Sequence, residues 1–483
     1  MNRRRLLAAL AGTGLAGVAG CVSLDSAPDA GTGPGSNALA DANVSVPETG
    51  APPDVDAPTD DFVAGNANFG FALLDRLADD SPDENRFLSP YSIGVALAMT
   101  AAGARGTTRE TLVETMRFPA VGEDLHRACA ALRADLPLAD DGEESASTTD
   151  GDETTESGES EGAAGESAES EFTLAGANAM WGQTGYPFRE DFQRTLTQYY
   201  GTGLGAVDFR EDPEAGREAI NAWVAERTRE KVPELFPKNT IDQRTRLVLA
   251  NAVYFRANWA EDFEADDTQR ETFTALDGST GEVPMMRQEE SFPFAEVEGG
   301  NEADEANEAD GANAVGGTKV LELPYDGGDV DMVLLMPPRE QFREFEQSLD
   351  ADRLDRLVDA TERRGVEVGL PRFEFRSRLG LADHLQAMGM TTAFTREANF
   401  DGIAEGDADD ELALGAVRHE AYVRVDEQGT EAAAATGAEV VMTSATSADA
   451  EFVADRPFLF VVRHGTTGAP LFVGRMVDAT AAQ

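Results

Sequence analysis

The segment Leu-Val-Leu-Ala-Asn-Ala-Val-Tyr-Phe, residues 247–255, is apolar enough to form the central strand of a β-sheet. Two further strands are predicted at residues 319–323 and 331–336, with the turn sequence Pro-Tyr-Asp-Gly-Gly between them. Upstream, residues 92–103 are almost entirely apolar over the length of a helix, so this helix is predicted to be buried. Helices and strands follow one another without βαβ regularity. This order predicts an α+β fold in a single large domain.

The charge of the chain restricts its possible partners. Its 483 residues include 39 basic and 90 acidic side chains, a net charge of −51 at pH 7. This charge repels phosphates and anionic lipid headgroups, which argues against nucleic-acid binding. The lysines are limited to Lys231, Lys238 and Lys319. Such a balance indicates adaptation to high salt, where the Debye length shrinks to about 3 Å at 1 M and screens self-repulsion. We therefore expect instability at low salt.

The first 20 residues have the pattern of an export signal. Three arginines at residues 3–5 precede a glycine-interrupted apolar run, residues 6–19, that is too short to span a bilayer. The arginines resemble a twin-arginine signal, and Val-Ala-Gly-Cys at residues 18–21 resembles a lipobox that leaves Cys21 lipidated. We expect an exported protein, at the cell surface or extracellular, that meets the membrane only through this lipid. An uncleaved anchor, or an ordinary leader with a chance cysteine, is the alternative.

Three other segments are predicted to be disordered. Residues 21–60 are rich in Ala, Gly, Pro, Ser, Asp and Thr without apolar periodicity, which predicts a tether between the lipid and the folded part. Asn43 begins a glycosylation sequon within it, and the sequence leaves its use open. The folded domain is predicted to span residues 61–483, with acidic low-complexity inserts at about 139–172 and 298–317.

The sequence carries no credible catalytic or metal-binding constellation. Residues 158–162 match the Gly-x-Ser-x-Gly pattern of hydrolases, but they lie inside an acidic insert without the strand and helix that this pattern requires. Cys129 lies in an apolar helical run and is interpreted as a small buried hydrophobe. None of the histidines has metal-ligand spacing: His126, His384, His419 and His464. We therefore predict neither enzyme activity nor a cofactor or metal.

A long segment of small residues follows a strand pattern at Ala421, Val423 and Val425. It reads Glu-Gln-Gly-Thr-Glu-Ala-Ala-Ala-Ala-Thr-Gly-Ala at residues 427–438. By composition alone it could be a flexible linker or an alanine-rich helix.

Residues 65–480, apart from the two inserts, resemble the serpins. The motifs occur in the family's order: Asn-Arg-Phe-Leu-Ser-Pro-Tyr-Ser-Ile (85–93), Ala-Gly-Ala-Arg-Gly-Thr-Thr (102–108), Leu-Ala-Asn-Ala-Val-Tyr-Phe-Arg-Ala-Asn-Trp (249–259), Val-Pro-Met-Met (283–286), Asp-Arg-Pro-Phe-Leu-Phe (455–460) and Leu-Phe-Val-Gly-Arg (471–475). The resemblance implies a large central mixed β-sheet, several helices and an exposed reactive loop. It also implies a serine protease inhibitor that acts as a suicide substrate. The alternative is a non-inhibitory serpin-fold binding or chaperone-like protein.

The resemblance implies that the cleaved loop inserts into the main sheet, and serpins are an established example of such strand addition. Because strand side chains alternate, one face of the inserted strand would carry only small residues: Thr430, Ala432, Ala434, Thr436 and Ala438. Glu431 would fall on the opposite face, where water solvates its charge. Glu427 and Gly429 complete the predicted hinge, and the glycine supplies backbone freedom where the loop must swing.

The family's spacing, counted from Glu427, predicts the reactive bond between Thr443 and Ser444. The alternative cleavage sites follow Met442, Ala445 and Thr446. No Lys or Arg lies between Arg424 and Arg456, so a trypsin-like protease has no basic residue to bind. We expect the partner to be a subtilisin-like, elastase-like or chymotrypsin-like serine protease whose own nucleophile supplies the chemistry. The inhibitor itself is expected to be a monomer.

The resemblance also implies residues that control the opening of the sheet. His419 matches the serpin position that hydrogen-bonds beneath the sheet with residues matching Ser89, Ser92 and Asn251. Trp259 matches the aromatic residue at the top of the sheet, where insertion begins. These five residues are predicted to be structural gates rather than reactants.

Overall fold

The computed structural model of the chain describes residues 44–47, 55–136, 172–297, 317–327, 329–405, 412–415, 417–430 and 448–483. Several predictions fall outside these ranges: those on the export signal, Cys21, Asn43, the two acidic inserts, and the loop residues Ala432, Ala434, Thr436, Thr443 and Ser444.

The helices surround and underlie the sheets. They are α1 (Asp60–Asp80), α2 (Pro90–Gly103), α3 (Gly106–Thr115), α4 (Glu123–Asp135), α5 (Glu190–Tyr200), α6 (Pro213–Arg227), α7 (Phe342–Gln347), α8 (Ala351–Asp359) and α9 (Ala382–Ala387). Among the described residues, none of these helices is long and apolar enough to cross a membrane.

Helix α2 starts abruptly because its first residues suit a helix N-terminus. The hydroxyl of Ser89 accepts a hydrogen bond from the backbone N–H of Ser92 at 3.0 Å and so caps the helix. Pro90 follows at the first helical position, where a missing N–H costs no hydrogen bond. Every residue of α2 except Ala102 is buried, which confirms the prediction of a buried helix.

The strands form two sheets. They are β1 (Arg86–Leu88), β2 (Phe172–Gln183), β3 (Leu204–Val207), β4 (Leu247–Asn258), β5 (Gln269–Thr274), β6 (Thr280–Val297), β7 (Thr318–Pro324), β8 (Val330–Met336), β9 (Glu362–Pro371), β10 (Phe373–Gly380), β11 (Val417–Asp426), β12 (Gly429–Thr430), β13 (Ala450–Val453), β14 (Phe458–His464) and β15 (Pro470–Met476). The main sheet has the order β10-β11-β12-β4-β2-β3. The second sheet has the order β1-β15-β14-β8-β7-β6-β9-β13, with β5 paired to β6.

The main sheet is mixed, with a parallel pair at its centre. β4 pairs in parallel with β11 and antiparallel with β2, while β10 pairs antiparallel with β11. Helix α2 packs between the inner face of this sheet and β15 of the second sheet. On the outer face, Ile220, Trp223 and Val224 of α6 share a hydrophobic cluster with Ala250 and Ala252 of β4. β4 is covered on both faces, which explains its nearly continuous apolar sequence.

Four residues of the predicted tether lie against the main sheet. Ser45 pairs with Ala206 of β3 through two backbone hydrogen bonds of 2.9 and 2.8 Å. Val44 packs on the hydrophobic cluster around α6. The contact has a simple cause, since β3 is an edge strand whose backbone groups are open to pairing.

Candidate functional site

The centre of the main sheet contains a line along which a new strand can enter. β11 and β4 pair directly from Val417, opposite Leu249, up to Tyr422, opposite Tyr254. Above this level β12 lies between them and pairs with both. We call the boundary between β4 and β11 the seam. The seam is closed in its lower part and open at its upper end.

The predicted hinge supplies the strand in the open end. Thr430 of β12 pairs with Val425 of β11 and with Ala257 of β4, and both pairings are antiparallel. The Thr430 side chain points into the interior and is 1% exposed. Gly429 has φ +150°, and a Cβ at this position would lie 2.1 Å from the Ala257 carbonyl oxygen. Because a side chain has no room here, the hinge needs glycine for close packing as well as for its backbone conformation.

A buried polar cluster crosses the closed part of the seam. His419 of β11 lies opposite Asn251 of β4. The His419 Nε2 accepts a hydrogen bond from the backbone N–H of Ser89 at 3.1 Å, which assigns the ring proton to Nδ1. Nδ1–H then donates to the Asn251 Oδ1 at 2.5 Å. This bond joins β11 and β4 across the closed part of the seam.

The rest of the cluster connects the seam to helix α2. The Asn251 Nδ2 donates to the Ser92 carbonyl and hydroxyl oxygens, both at 2.8 Å, and to the Asn178 Oδ1 at 2.6 Å. The Ser92 hydroxyl donates to the same Asn178 oxygen at 3.0 Å. The Ser89 hydroxyl donates to the Leu471 carbonyl of β15 at 2.6 Å. The structure therefore brings together the four residues predicted for this cluster.

Asn178 is a member of the cluster that sequence reasoning missed. It lies on β2 directly opposite Asn251, so the two amides meet on neighbouring strands. The available signal was an asparagine between two alanines in an otherwise apolar strand, because a buried amide must find hydrogen-bond partners.

The cluster is electrically neutral. His419 is 1% exposed, and burial lowers its pKa to about 3. The ring is therefore uncharged at neutral pH, as its acceptor role toward Ser89 requires. The buried groups exchange hydrogen bonds with one another, so an entering strand must replace the bonds that it breaks.

Trp259 lies at the open end of the seam, immediately after β4. Its indole Nε1–H donates to the Asp426 carbonyl at 3.0 Å, and its backbone N–H donates to the Gln428 carbonyl at 2.9 Å. Its ring stacks on Tyr325 at a centroid distance of 4.6 Å. The Tyr325 hydroxyl in turn bonds the Thr430 hydroxyl at 2.7 Å. Sequence reasoning interpreted Tyr325 only as part of a turn, and its contact with the hinge depends on chain segments far apart in sequence.

Glu427 attaches the start of the hinge to the surrounding structure. Its carboxylate accepts from the Thr268 hydroxyl at 2.8 Å and lies 3.3 Å from the Arg372 guanidinium. Its carbonyl accepts from the Phe263 N–H at 2.8 Å. The side chain is 12% exposed, so this ion pair is partly shielded from water. The chain is held at Glu427 and again at Thr430, where it has entered the seam.

Within the described ranges, no group of three or more His, Cys, Asp or Glu side chains could hold a metal ion. Cys129 is buried, and burial raises the pKa of its thiol to about 12, which disfavours the reactive thiolate. This burial confirms the interpretation of Cys129 as a small hydrophobe. The site can accept and pair an extended segment of chain.

Comparisons with known proteins agree with this geometry. A family model described as Serpin (serine protease inhibitor) matches residues 64–479. The chain is 32% identical over 420 residues to a leukocyte elastase inhibitor of Bos taurus, covering 86% of this chain and 98% of the relative. It is 31% identical over 420 residues to antithrombin-III of Mus musculus, covering 86% of this chain and 80% of that relative. The crystal structure of uncleaved ovalbumin is similar with a TM-score of 0.69 and 26% identity, covering 86% of this chain and 99% of that chain.

Proposed function

Because this chain belongs to the serpin family, a family of protease inhibitors rather than catalysts, we propose that it inhibits a serine protease as a suicide substrate. In this proposal the protease cleaves the loop that follows Thr430 and forms an acyl-enzyme with it. The freed N-terminal part of the loop then inserts along the seam, and the protease is trapped before it hydrolyses the ester.

The observation that carries the proposal is β12. Two residues of the hinge already form a strand between β4 and β11, with both of its edges paired. Further insertion extends the existing pairings of β12 with β11 and with β4, so no new strand pairing has to be started. Successive added residues gain backbone hydrogen bonds to β11 and to β4 in alternation, so the loop becomes a central strand of the sheet.

The register of β12 supports insertion of the residues that follow it. Both pairings are antiparallel, so each step forward in the loop is a step back in β11 and in β4. The small inward-facing residues are then matched as follows: Ala432 between Val423 and Phe255, Ala434 between Ala421 and Val253, and Thr436 between His419 and Asn251. The hydroxyl of Thr436 would thus arrive at the polar cluster, where it can replace a hydrogen bond broken by separation of the strands.

The proposed partner is an exported serine protease that prefers small or apolar residues. The stretch between Arg424 and Arg456 contains no basic residue, and one relative is named as an inhibitor of leukocyte elastase. We propose cleavage at Thr443–Ser444 by a subtilisin-like, elastase-like or chymotrypsin-like enzyme. The proposed setting is the cell surface, with lipidated Cys21 as the anchor of a monomeric inhibitor.

The test mixes the mature chain, with Cys21 replaced by serine, with a subtilisin-like and a chymotrypsin-like protease in molar KCl. We expect a covalent complex that survives denaturant, loss of protease activity, and a cut near Thr443 located by mass spectrometry. Clean cleavage of the loop without a complex, and with undiminished protease activity, would contradict the proposal. That result would favour the non-inhibitory serpin-fold alternative.

A matched pair of variants tests the insertion step itself. Thr430→Glu places a carboxylate on the inner face between Val425 and Ala257, where burial without a partner is costly. Ala433→Glu places the same group on the outer face. We expect the first variant to be cleaved without trapping the protease and the second to trap it. Equal trapping by both variants would contradict insertion along the seam.

A further inference from the structure

Two arginines lie at the same level on the two strands that border the open end of the seam. In the parallel pairing of β11 with β4, the last matched pair is Tyr422 with Tyr254. The next pair on the same face of the sheet is Arg424 with Arg256, at the level where the strands separate. Strand alternation directs both side chains away from buried His419, toward the outer face. If the strands closed here, the two arginines would become an opposed pair of like charges, which is unfavourable.

Other cations surround this opening. The Lys231 Nζ lies 5.4 Å from the centroid of the Tyr422 ring, and the Arg376 guanidinium carbon lies 5.3 Å from it. Burial lowers the pKa of the Lys231 ammonium. The positive charges of Arg424, Arg376 and Arg256 lower this pKa further. This density of positive charge is unusual in a chain of net charge −51.

The carboxylates at this level already interact with neighbouring groups. Glu420 lies 3.2 Å from Arg378 and 3.6 Å from Arg376. Burial raises the pKa of the Tyr422 hydroxyl, and a hydrogen bond to the Glu374 carboxylate raises it further. Asp426, one level higher on β11, lies 3.2 Å from Arg424. The Arg424 side chain remains 42% exposed, so a further carboxylate can approach it.

The register of β12 identifies that carboxylate. One step beyond Thr430, the antiparallel ladders match residue 431 with Arg424 on β11 and with Arg256 on β4. Residue 431 is Glu431, and its side chain alternates to the outer face. We propose that Arg256 and Arg424 form a docking site for the Glu431 carboxylate when the loop inserts. This inference rests on the proposed function, since it concerns the inserted state of the same loop.

The docking site would have two effects. Before insertion, repulsion between Arg256 and Arg424 keeps the upper seam from closing. After insertion, the Glu431 carboxylate lies between the two cations and makes opposite-charge pairs with both neighbouring strands. A slip by one residue would turn Glu431 into the apolar interior and place Ala432 between the arginines. Glu431 therefore stabilises the register that the pairing of β12 sets.

The loop contains its own control. Glu439 lies eight residues after Glu431 and so shares the outer face, but the ladder on β4 matches it with Val248, a buried residue of the hydrophobic cluster around α6. Glu431→Gln and Glu439→Gln thus remove the same charge from the same face of the same segment. Both positions lie outside the described residues, so neither substitution changes a contact described above for the uncleaved protein.

The experiment measures urea unfolding of each protein before and after the loop is cut by a metalloprotease, which forms no acyl-enzyme and so is not trapped. Wild type should gain stability on cleavage, because the loop becomes a strand. Glu431→Gln should lower the insertion equilibrium by about two- to fivefold, from the range for one cross-strand ion pair, and Glu439→Gln should not. The difference should grow as KCl is lowered, because salt screens the pairs.

Charge reversal provides the second measurement. Glu431→Arg should reduce the stability gained on cleavage by more than Glu431→Gln does. Adding Arg424→Glu to Glu431→Arg should restore part of the lost stability. Equal stability gains in Glu431→Gln and Glu439→Gln would contradict the docking site. Additive effects of Glu431→Arg and Arg424→Glu would contradict it too. Neither result would contradict insertion of the loop. If wild type gains no stability on cleavage, insertion itself fails, and the proposed function fails with it.

Discussion

The imidazole of His419 and the amide of Asn251 form a hydrogen bond across the closed part of the seam. The same ring accepts from the N–H of Ser89 at the start of α2, so one buried side chain joins β11, β4 and the helix beneath them. Protonation of the ring would convert its acceptor nitrogen into a donor facing another donor. The closed seam is therefore expected to be sensitive to acid.

This sensitivity predicts the pH dependence of stability. Burial lowers the pKa of His419 to about 3, whereas an unfolded histidine titrates near about 6.5. Between these values the unfolded chain binds more protons, so stability is lost as the pH falls below about 6.5. Lowering the pH from about 7 to about 5 should cost wild type about 2 kcal/mol more than the His419→Gln variant. Urea unfolding at several pH values measures this difference.

His126 provides the control for that experiment. It is buried in α4, its Nδ1 lies 2.6 Å from the Tyr200 hydroxyl, and burial lowers its pKa to about 4. His126→Gln should remove a similar share of the acid sensitivity without changing protease trapping, because this histidine lies away from the seam. Equal pH slopes for His419→Gln and wild type would contradict the assigned neutral state of His419.

The ion pair between Glu427 and Arg372 is predicted to stabilise the hinge. Glu427→Arg brings two guanidinium groups together and removes the acceptor for the Thr268 hydroxyl. Because Arg372 is 48% exposed, we expect a modest loss of about 1 kcal/mol in the free energy of unfolding. Adding Arg372→Glu should recover part of this loss. A double-mutant cycle by urea unfolding measures the coupling, and additive effects would show that the pair contributes nothing.

Gly429 is predicted to be irreplaceable at the open end of the seam. Gly429→Ala places a Cβ 2.1 Å from the Ala257 carbonyl oxygen, so β12 should leave the sheet. Faster hydrogen exchange at the Thr430 amide would report this departure. Gly327→Ala is the matched control, since Gly327 also has positive φ but a Cβ there meets nothing within 4 Å. Unchanged exchange at Thr430 in Gly429→Ala would contradict the role of close packing.

Stability is predicted to depend strongly on salt. The net charge of −51 produces self-repulsion that is screened in molar KCl. Lowering KCl to about 0.1 M lengthens the Debye length to about 10 Å, so the urea midpoint should fall. KCl and NaCl at equal ionic strength should restore it equally, because screening does not depend on which cation supplies it. A midpoint that is independent of salt would contradict the interpretation of the composition.

Some features of the fold follow from local sequence. The apolar run of β4 and the alternation in β11 each predict a strand, and the all-apolar sequence of α2 predicts burial, because these patterns record which faces are covered. The helix predicted at residues 92–103 begins two residues earlier in the structure, at Pro90, because the Ser89 hydroxyl caps it there. The family motifs add the order of the elements and the identity of the main sheet.

Other features could not be predicted, because they depend on register between distant strands. Asn178 joins the polar cluster only because β2 places it opposite Asn251. Tyr325 reaches Thr430 only because β12 enters the sheet beside Trp259. A shift of one residue in any of these pairings would turn the side chains to the other face.

The sequence by itself determined the residue types on which the proposed function depends: a small-residue loop, a hinge glycine, a strongly acidic charge balance, and a central apolar strand. These are local properties, set by side-chain size, backbone freedom and charge. The tertiary structure decided that the hinge already occupies the open end of the seam. It also decided that Arg256 and Arg424 lie at the same level on the two sides of that opening, because strand pairing fixes which residues share a level in a sheet.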